Sequence, residues 1–400
     1  MKTIRKVIPL FLLLVIILAA SLTLRAETII PDPSWPMFRH DAVHTGFASC
    51  GAPFTNGVLW QTDIGLPIYS SPAVVDRKVF FGVRDQALAL DSRTGKAIWK
   101  APMVGEIYSS PAVDPLALKT GLVYIASYGS KSSTLSAFEM NTGTPVWRIW
   151  ASTKSSPTVA ANPPIMIQDP NSPLPIPRAT VYIGSGTTLL ALDADTGKTL
   201  WKYEATGVID STPAVDAGIV YFGTNGNMVY ALNRFSGNPV WKFGAKGAVV
   251  SSPAVGEKFI IFGDTAGVMY CLEKATGNLI WTYYTGGSIT SSPAYASGEI
   301  YIGVSNGLNG TLYKFSDYGI PLWKVPVPGE VHSSPCVAGG KVYTGSSGSR
   351  SSAIFCFNAA SGAQLWFKWM MMYSSPSAAE ANFLYTTTLE GTVYAFTDWE

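Results

Sequence analysis

The sequence predicts an all-β protein folded as an eight-bladed β-propeller with four-stranded antiparallel blades. Three observations lead to this prediction. The 400 residues include 38 Gly and 27 Pro, spread along the chain, which disfavours long helices. A Ser-Ser-Pro phrase, once Ser-Thr-Pro, recurs eight times. Most of its copies are followed by the same Gly turn and a Trp.

The Ser-Ser-Pro phrase sets the number of blades. Its copies lie 39 to 56 residues apart, and runs of β-branched and aromatic residues follow them. A period near 40 residues that is built from short strands is typical of a propeller with about four strands per blade. The eight copies begin at Ser70, Ser109, Ser155, Ser211, Ser251, Ser291, Ser333 and Ser374.

A Gly turn and a Trp close most of the units. In the clearest copy, Ala89–Trp99, Asp and Thr side chains can bond the turn backbone and Gly supplies the positive φ. Because the Trp repeats so strictly, we expect it to pack between neighbouring blades and not to bind a ligand. The tryptophans in this predicted structural role are Trp60, Trp99, Trp147, Trp201, Trp241, Trp281, Trp323 and Trp366.

The two ends of the chain are predicted to complete one blade together. The copy that starts at Ser374 has only three strands, and residues 57–64 form a fourth strand with no blade before it. Pairing these halves closes the ring and removes its open edge. We therefore assign residues 57–400 to the propeller and residues 27–56 to a leader segment, and we expect a monomer.

Residues 1–26 are predicted to be a secretory signal. Lys2, Arg5 and Lys6 precede an apolar run from Val7 to Leu24, which is the pattern of a cleaved signal peptide. The run is also long enough for an uncleaved membrane anchor. In both cases we expect an exported protein, located in the periplasm, on the cell surface or outside the cell.

Charge and cysteine usage exclude several classes of function. Without residues 1–26 the chain has 24 basic and 26 acidic residues, whereas a nucleic-acid partner would need a dense basic surface. None of the four cysteines stands in a CxxC arrangement, which excludes haem c attachment and cysteine zinc sites. We expect Cys271, Cys336 and Cys356 to be buried free thiols, and Cys50 to be exposed.

His40 and His44 are spaced so that a helix would place both on one face, where they could bind a metal. A third ligand is not evident in the sequence, and the motif is not HExxH. We therefore predict no metal site and expect these residues to tether the leader segment to the propeller.

Two motifs resemble one known family. The pattern AxDxxTGxxxW is complete at Ala89–Trp99 and Ala191–Trp201, and the leader contains WPMFRHDAVHTGF at Trp35–Phe47. Together they resemble the pyrroloquinoline quinone (PQQ) family of eight-bladed propellers. This family includes quinoprotein dehydrogenases and non-enzymatic propellers such as the outer-membrane assembly factor BamB. The shared repeat reports the fold and not the activity.

The resemblance implies what a dehydrogenase of this family would need. It would hold calcium through Glu, Asn and Asp side chains, use an Asp as catalytic base, stack aromatic rings on the quinone and usually carry adjacent cysteines. The sequence has no adjacent cysteines and no acidic cluster near its blade entrances. We therefore predict no catalytic residue and no cofactor, with PQQ plus calcium as the alternative.

The predicted function is a BamB-like binding scaffold for a protein partner in the cell envelope. A lipoprotein anchor is not supported, because no Cys directly follows the apolar run. Besides the PQQ-dependent dehydrogenase, a propeller that senses a small ligand or binds a glycan remains an alternative. Membrane contact is expected only through the possible anchor in residues 1–26.

The partner is predicted to bind at one rim of the central channel. The first strand of a blade lies nearest the axis, so the residue before each Ser pair should lie at that rim. Blade eight neighbours blade one, which makes three tyrosines of this column consecutive, although they could also line a channel that takes no ligand. The candidate binding residues are Tyr69, Tyr108, Lys154, Asp210, His332 and Tyr373.

Overall fold

A computed structural model describes residues 34–129, 133–162, 178–348 and 351–398. The predicted signal, residues 1–26, lies outside this part of the chain. The chain from Pro33 to Glu400 forms one compact unit. In its described residues, a short 3₁₀ turn at Ala117–Lys119 accompanies 33 strands. None of the described helices is long and apolar enough to cross a membrane.

The strands form eight antiparallel four-stranded blades, as predicted, and in seven of them the four strands follow in sequential order from the axis outward. Two strands precede the first blade, β1 Phe47–Ala48 and β2 Gly57–Asp63. Blades one and two contain β3 Ala73–Val75, β4 Lys78–Val83, β5 Gln86–Asp91, β6 Ala97–Pro102, β7 Ala112–Asp114, β8 Leu122–Ala126, β9 Thr134–Glu139 and β10 Pro145–Trp150. Blades three and four contain β11 Thr158–Ala161, β12 Ala179–Ser185, β13 Thr188–Asp193, β14 Thr199–Glu204, β15 Ala214–Asp216, β16 Ile219–Thr224, β17 Met228–Asn233 and β18 Pro239–Gly244.

The remaining blades repeat this arrangement. Blades five and six contain β19 Ala254–Val255, β20 Phe259–Gly263, β21 Val268–Glu273, β22 Leu279–Tyr284, β23 Ala294–Ala296, β24 Glu299–Ser305, β25 Asn309–Ser316 and β26 Pro321–Pro328. Blades seven and eight contain β27 Cys336–Ala338, β28 Lys341–Gly345, β29 Ala353–Asn358, β30 Gln364–Trp369, β31 Ser377–Ala379, β32 Phe383–Thr387 and β33 Thr392–Thr397, with β2 as the last strand of blade eight.

Burial follows the position of a strand in its blade. The second and third strands are buried along almost their whole length, as in β4 and β21, because neighbouring blades cover both of their faces. Such strands read as continuous runs of β-branched and aromatic residues. The fourth strands, such as β10 and β14, are largely exposed because they form the outer edge of the ring.

The ring closes as the sequence predicts. Strand β2 pairs with β33 in antiparallel register from Gly57–Thr397 to Asp63–Thr392. The last blade is therefore assembled from both ends of the chain, and this pairing covers the edge that β33 would otherwise expose.

The repeat tryptophans lie between neighbouring blades. Trp99 of blade one donates its indole N–H to the carbonyl oxygen of Met140 in blade two, at 3.0 Å. Its ring covers Gly143 so closely that a Cβ there would lie 2.6 Å from the indole, and Gly143 has a φ of +70°. Only glycine meets both constraints without strain. Six more tryptophans donate the same bond, namely Trp60, Trp147, Trp201, Trp241, Trp281 and Trp323.

Trp366 differs from these seven for a topological reason. It would need its partner in blade eight, whose third and fourth strands come from opposite ends of the chain and are not joined by a Gly turn. Its buried indole N–H accordingly has no hydrogen-bond partner among the described residues.

The described part of the leader segment, residues 34–56, runs around one end of the central channel. Trp35 exchanges two backbone hydrogen bonds with Val74 of blade one, and β1 adds a parallel strand to β27 of blade seven. Five other blades donate a backbone N–H to a leader carbonyl, through Val113, Val215, Val255, Tyr295 and Asn382. Among the described residues, seven of the eight blades thus bond to the leader backbone at this end, which we call the leader end.

Arg39 and His44 enter the channel from the leader and are fully buried. The Arg39 guanidinium donates to the carbonyl oxygens of Pro335 at 2.5 Å and Pro293 at 3.0 Å. Burial lowers the pKa of Arg39 to about 10, which leaves it charged at neutral pH. His44 Nδ1 lies 3.1 Å from the Pro253 carbonyl oxygen, and burial lowers the pKa of His44 to about 4.

His40 and His44 do not lie on one helical face. The described leader contains no helix, and both residues have positive φ, 79° and 60°. His44 faces the channel, whereas His40 Nδ1 lies 3.3 Å from a carboxylate oxygen of Asp41. The described residues contain no group of three side chains that could hold a metal.

The cysteines are all buried. Cys271, Cys336 and Cys356 are free thiols, as expected, and burial raises the pKa of each to about 12. The expectation that Cys50 is exposed is wrong. Its side chain packs in the same apolar cluster as Cys336 and Cys356, because the leader lies against blade seven there.

Candidate functional site

The two residues of each Ser pair have separate hydrogen-bonding roles. The first hydroxyl links strands within a blade, as where Ser211 accepts from the backbone N–H of Gly223 at 2.7 Å. The second hydroxyl links blades, because Ser252 accepts from the backbone N–H of Thr212 in the preceding blade at 2.8 Å. The two adjacent hydroxyl residues of each pair therefore make two different hydrogen bonds, one within the blade and one between blades.

The second hydroxyls form an unbroken circle around the axis. Each backbone N–H in the circle donates to the hydroxyl of the next blade over 2.8 to 3.3 Å, and Ser375 closes the circle by donating to Ser71. We call this circle the hydroxyl ring. Its members are Ser71, Ser110, Ser156, Thr212, Ser252, Ser292, Ser334 and Ser375.

The hydroxyl ring keeps unused donors. Each hydroxyl accepts one backbone hydrogen bond, but within the described residues none of the eight donates its own hydrogen to a protein acceptor. All eight residues line one cavity of about 480 Å³ on the axis, which we call the cup. The side chain of Phe38, from the leader, lines the cup as well.

The residues that precede the Ser pairs surround the opening of the cup. All six predicted binding residues line it, together with Val250 and Thr290 of the same column. We call this end of the channel the mouth. It lies opposite the leader end, because the first strands run from the Ser pairs toward the leader contacts.

Five aromatic side chains form a continuous arc along one side of the mouth. The ring centroids of Tyr69 and Tyr108 lie 4.9 Å apart, and those of Tyr69 and Tyr373 lie 5.7 Å apart. His332 stacks on Tyr373 at 5.0 Å, and Tyr128 contacts Tyr108 edge-on at 6.1 Å. These separations are typical of attractive ring pairs. We call this set the aromatic arc.

Most of the charged groups at the mouth already have partners. Tyr108 donates to Glu106 at 2.8 Å, and this bond raises the pKa of Tyr108 to about 12. His332 lies 3.1 Å from Glu330. The Asp210 carboxylate accepts from the Asn225 side chain at 2.8 Å.

Lys154 is the exception among these groups. Its ammonium lies 5.4 Å from the ring centroid of Tyr108 and 5.1 Å from that of Tyr128. In the described part of the chain no carboxylate forms an ion pair with it. Lys154 therefore offers an uncompensated positive charge beside the aromatic arc.

The cup does not fit PQQ with calcium. Calcium takes about six to eight oxygen ligands and usually several carboxylates. Among the described residues that line the cup, Asp210 is the one carboxylate, and an amide already occupies one of its oxygens. We therefore derive no catalytic step through this cofactor.

Comparison with known sequences assigns the family. A family described as "Outer membrane protein assembly factor BamB" matches three overlapping stretches, residues 49–184, 131–292 and 266–397. The chain belongs to this family. No curated protein matches it.

Solved structures match this BamB-family chain at low sequence identity. A europium-containing methanol dehydrogenase has a TM-score of 0.75 and 12% identity, covering 92% of this chain and 98% of that one. BamB from Moraxella catarrhalis has a TM-score of 0.68 and 16% identity, covering 86% and 100%. The computationally designed Ika8 protein has a TM-score of 0.66 and 15% identity, covering 84% and 98%.

These matches establish the fold and leave the function open. A methanol dehydrogenase, BamB and a designed protein share it, so the fold does not select an activity. The features of this BamB-family propeller that can indicate its function are therefore the side chains of the cup and the mouth.

Sequence reasoning located part of this site. The column before the Ser pairs gave Tyr69, Tyr108 and Tyr373, which the structure places in contact. It missed Phe38, which has no counterpart in the repeat, and the column alone does not contain Tyr128, whose longer loop between the second and third strands is a separate signal for this face. It also missed the hydroxyl ring, although its signal was visible as the hydroxyl residue that stands second in all eight pairs.

Proposed function

We propose that this BamB-family chain is an exported, non-enzymatic propeller that holds a protein partner at its mouth. The aromatic arc carries the proposal. Tyr373 and Tyr128 are 45% and 43% exposed, although they lie in contact with other rings. Exposed aromatic clusters are enriched in the parts of protein interfaces that contribute most affinity.

Further exposed aromatic side chains lie on the same face of the propeller as the arc. Trp150, Tyr284 and Trp369 end the fourth strands of blades two, five and seven, where the chain turns toward the next Ser pair. All three are more than half exposed. A protein partner that covers the mouth would bury them together with the arc.

Site-specific photo-cross-linking tests this function in the producing cells. A photoreactive benzoylphenylalanine replaces Tyr373 at the mouth in one full-length variant and Tyr318 in another. Tyr318 is a matched control because it is 79% exposed but lies in the turn between β25 and β26, on the opposite face. We expect a discrete protein adduct from position 373 and none from 318.

Two results would contradict the proposal. The first is the absence of any adduct from position 373, and the second is the same adduct from both positions. Adding Tyr69→Ala to the position-373 variant should reduce the adduct by at least about tenfold, because hot-spot aromatic residues contribute 2 kcal/mol or more.

A PQQ-dependent dehydrogenase is the competing hypothesis. It is tested by the melting temperature of the purified full chain with and without PQQ plus calcium. A ligand that binds only the folded protein must raise this temperature. Because one carboxylate lines the described part of the cup, we expect no rise, and a clear rise at saturating ligand would favour the enzyme.

A further inference from the structure

The cup is closed at its inner end. Phe38 lines it, and Arg39 and His44 lie beyond, buried and bonded to carbonyl oxygens of blades five, six and seven. The leader backbone bonds to seven blades around the same end. A polypeptide that enters from the mouth therefore cannot pass through the channel, and must end inside the cup or turn back.

The size of the cup favours a polypeptide that ends inside it over one that turns back. A volume of about 480 Å³ lies in the lower half of the range of about 300–1,000 Å³ for small-ligand sites. Paired strands need about 4.8 Å between them, with side chains on both faces. The cup has room for a few residues of one strand, and not for a hairpin.

The lining of the cup offers unused hydrogen-bond donors. The hydroxyl ring contributes eight unused hydroxyl hydrogens, and Lys154 adds an uncompensated positive charge. The Asp210 carboxylate accepts from the neutral Asn225 amide and keeps its own charge, so the unused donors of the lining are the hydroxyl ring and Lys154. Such a lining complements a ligand group that only accepts hydrogen bonds and carries negative charge, as a carboxylate does.

A second hollow extends the site away from the axis. It measures about 350 Å³ and shares Tyr69 and Tyr108 with the cup. Leu66, Pro67 and Ile107 line it, together with Glu106 and Arg84. Arg84 forms no ion pair among the described residues. Two hollows joined by an aromatic wall fit an extended ligand better than a compact one.

From these observations we infer that the cup captures the C-terminal end of a protein partner. The terminal carboxylate enters the cup, where the hydroxyl ring and Lys154 are its donors, and the preceding residues lie along the aromatic arc into the second hollow. This inference rests on the proposed function and names the part of the partner that is bound. Capture of a chain end by its carboxylate is an established mode of peptide recognition.

Two matched peptide pools test the inference on the immobilised full chain. Both contain seven-residue peptides with the last three positions randomised, one pool with free C-terminal carboxylates and the other amidated. We expect the free-acid pool to be retained at least about tenfold more strongly, because a hydrogen bond to a charged group contributes about 1.5–3 kcal/mol. Equal retention of the two pools would overturn the inference.

Two lysine variants localise the effect. Lys154→Met should reduce retention of the free-acid pool at least about fivefold, since it removes the charge from an exposed side chain that folding does not need. Lys198→Met, in the exposed turn between β13 and β14 on the opposite face, should change nothing. If both variants retain the pool equally, Lys154 is not part of the site and the inference fails.

Two additional results separate the possible failures. Displacement of the free-acid pool by trigalacturonate at equal or lower concentration would assign the site to an acidic saccharide and overturn capture of a chain end. Cross-linking from position 373 without preference for free-acid peptides would refute this inference and leave the proposed function intact. Loss of both cross-linking and preference would refute both.

Discussion

The two ends of the central channel are built from the same eight first strands but use their polar groups in opposite ways. At the leader end, seven blades bond to the leader backbone, and the buried Arg39 and His44 bond to carbonyl oxygens. At the mouth, the residues differ from blade to blade, and Tyr373 and Lys154 are exposed.

This difference separates stability from binding within one repeat. Buried polar groups stabilise a fold through the hydrogen bonds that they make, and removing one partner leaves the other unsatisfied. Exposed groups can be exchanged with little effect on folding. Substitutions at the leader end should therefore change the free energy of unfolding, and substitutions at the mouth should change binding.

The largest expected difference in the free energy of unfolding is between two variants that replace a cation by Met, one at each end. Arg39→Met removes two hydrogen bonds and leaves the Pro335 and Pro293 carbonyl oxygens without those partners, so we expect a loss of about 3 kcal/mol. Lys154→Met should change the free energy of unfolding by less than about 0.5 kcal/mol. Urea unfolding of the full chain measures both, and similar losses would contradict the division between the two ends.

Low pH should lower the stability of the fold through protonation of His44 at the leader end. Unfolded His44 takes up a proton near pH 6.5, whereas burial lowers its folded pKa to about 4. Between these values the unfolded state binds more protons, so stability is complete above pH 6.5 and falls as the pH is lowered toward 4. This residue alone should account for about 3 kcal/mol of the loss.

The variant His44→Gln isolates this contribution from that of the carboxylates. Urea unfolding at pH 7 and pH 4.5 should show a smaller acid-induced loss in His44→Gln than in the natural chain. The same loss in both proteins would show that His44 does not remain neutral in the folded state.

The hydroxyl ring lies between the two ends of the channel. Two substitutions at one of its positions, one that removes the hydroxyl and one that keeps it, test its hydrogen bond. Ser252→Ala leaves the buried backbone N–H of Thr212 without its acceptor, and should cost about 1 to 2 kcal/mol. Ser252→Thr keeps the hydroxyl, as Thr212 does naturally in the same ring, and should stay within about 0.5 kcal/mol. Unfolding midpoints in urea compare the two, and equal losses would mean that the side-chain volume matters and not the hydrogen bond.

The sequence predicted those features that the repeat itself encodes. The Ser pairs, the Gly turns and residues such as Trp99 recur at fixed spacing, and that recurrence was sufficient to derive the blades, their interfaces and the closure of the ring. The contact of Tyr373 with Tyr69 followed from the same argument, because a closed ring makes blade eight the neighbour of blade one.

Apart from the hydroxyl ring, whose signal is in the Ser pairs, the parts that sequence reasoning missed lie outside the repeat. His44 and Cys50 belong to the leader, and their burial depends on which blades the leader meets as it runs around the channel. No local periodicity encodes that path. Tyr128 lies in a single loop, and its contact with Tyr108 likewise depends on tertiary structure.

The smallest expected effect is at the mouth, in Tyr108→Phe. This change removes the hydroxyl that donates to the exposed Glu106 but keeps the ring that contacts Tyr69 and Tyr128. Exposed polar contacts contribute little to folding, so the free energy of unfolding should change by less than about 0.5 kcal/mol.

Binding should be equally insensitive to Tyr108→Phe if the flat ring is the feature that the partner contacts. The adduct from position 373 should then persist in Tyr108→Phe and be lost in Tyr108→Ala, while urea unfolding shows both variants folded. If Tyr108→Phe alone abolished the adduct, the hydroxyl and its bond to Glu106 would be the recognition element, and the mouth would act through fixed polar groups as the leader end does.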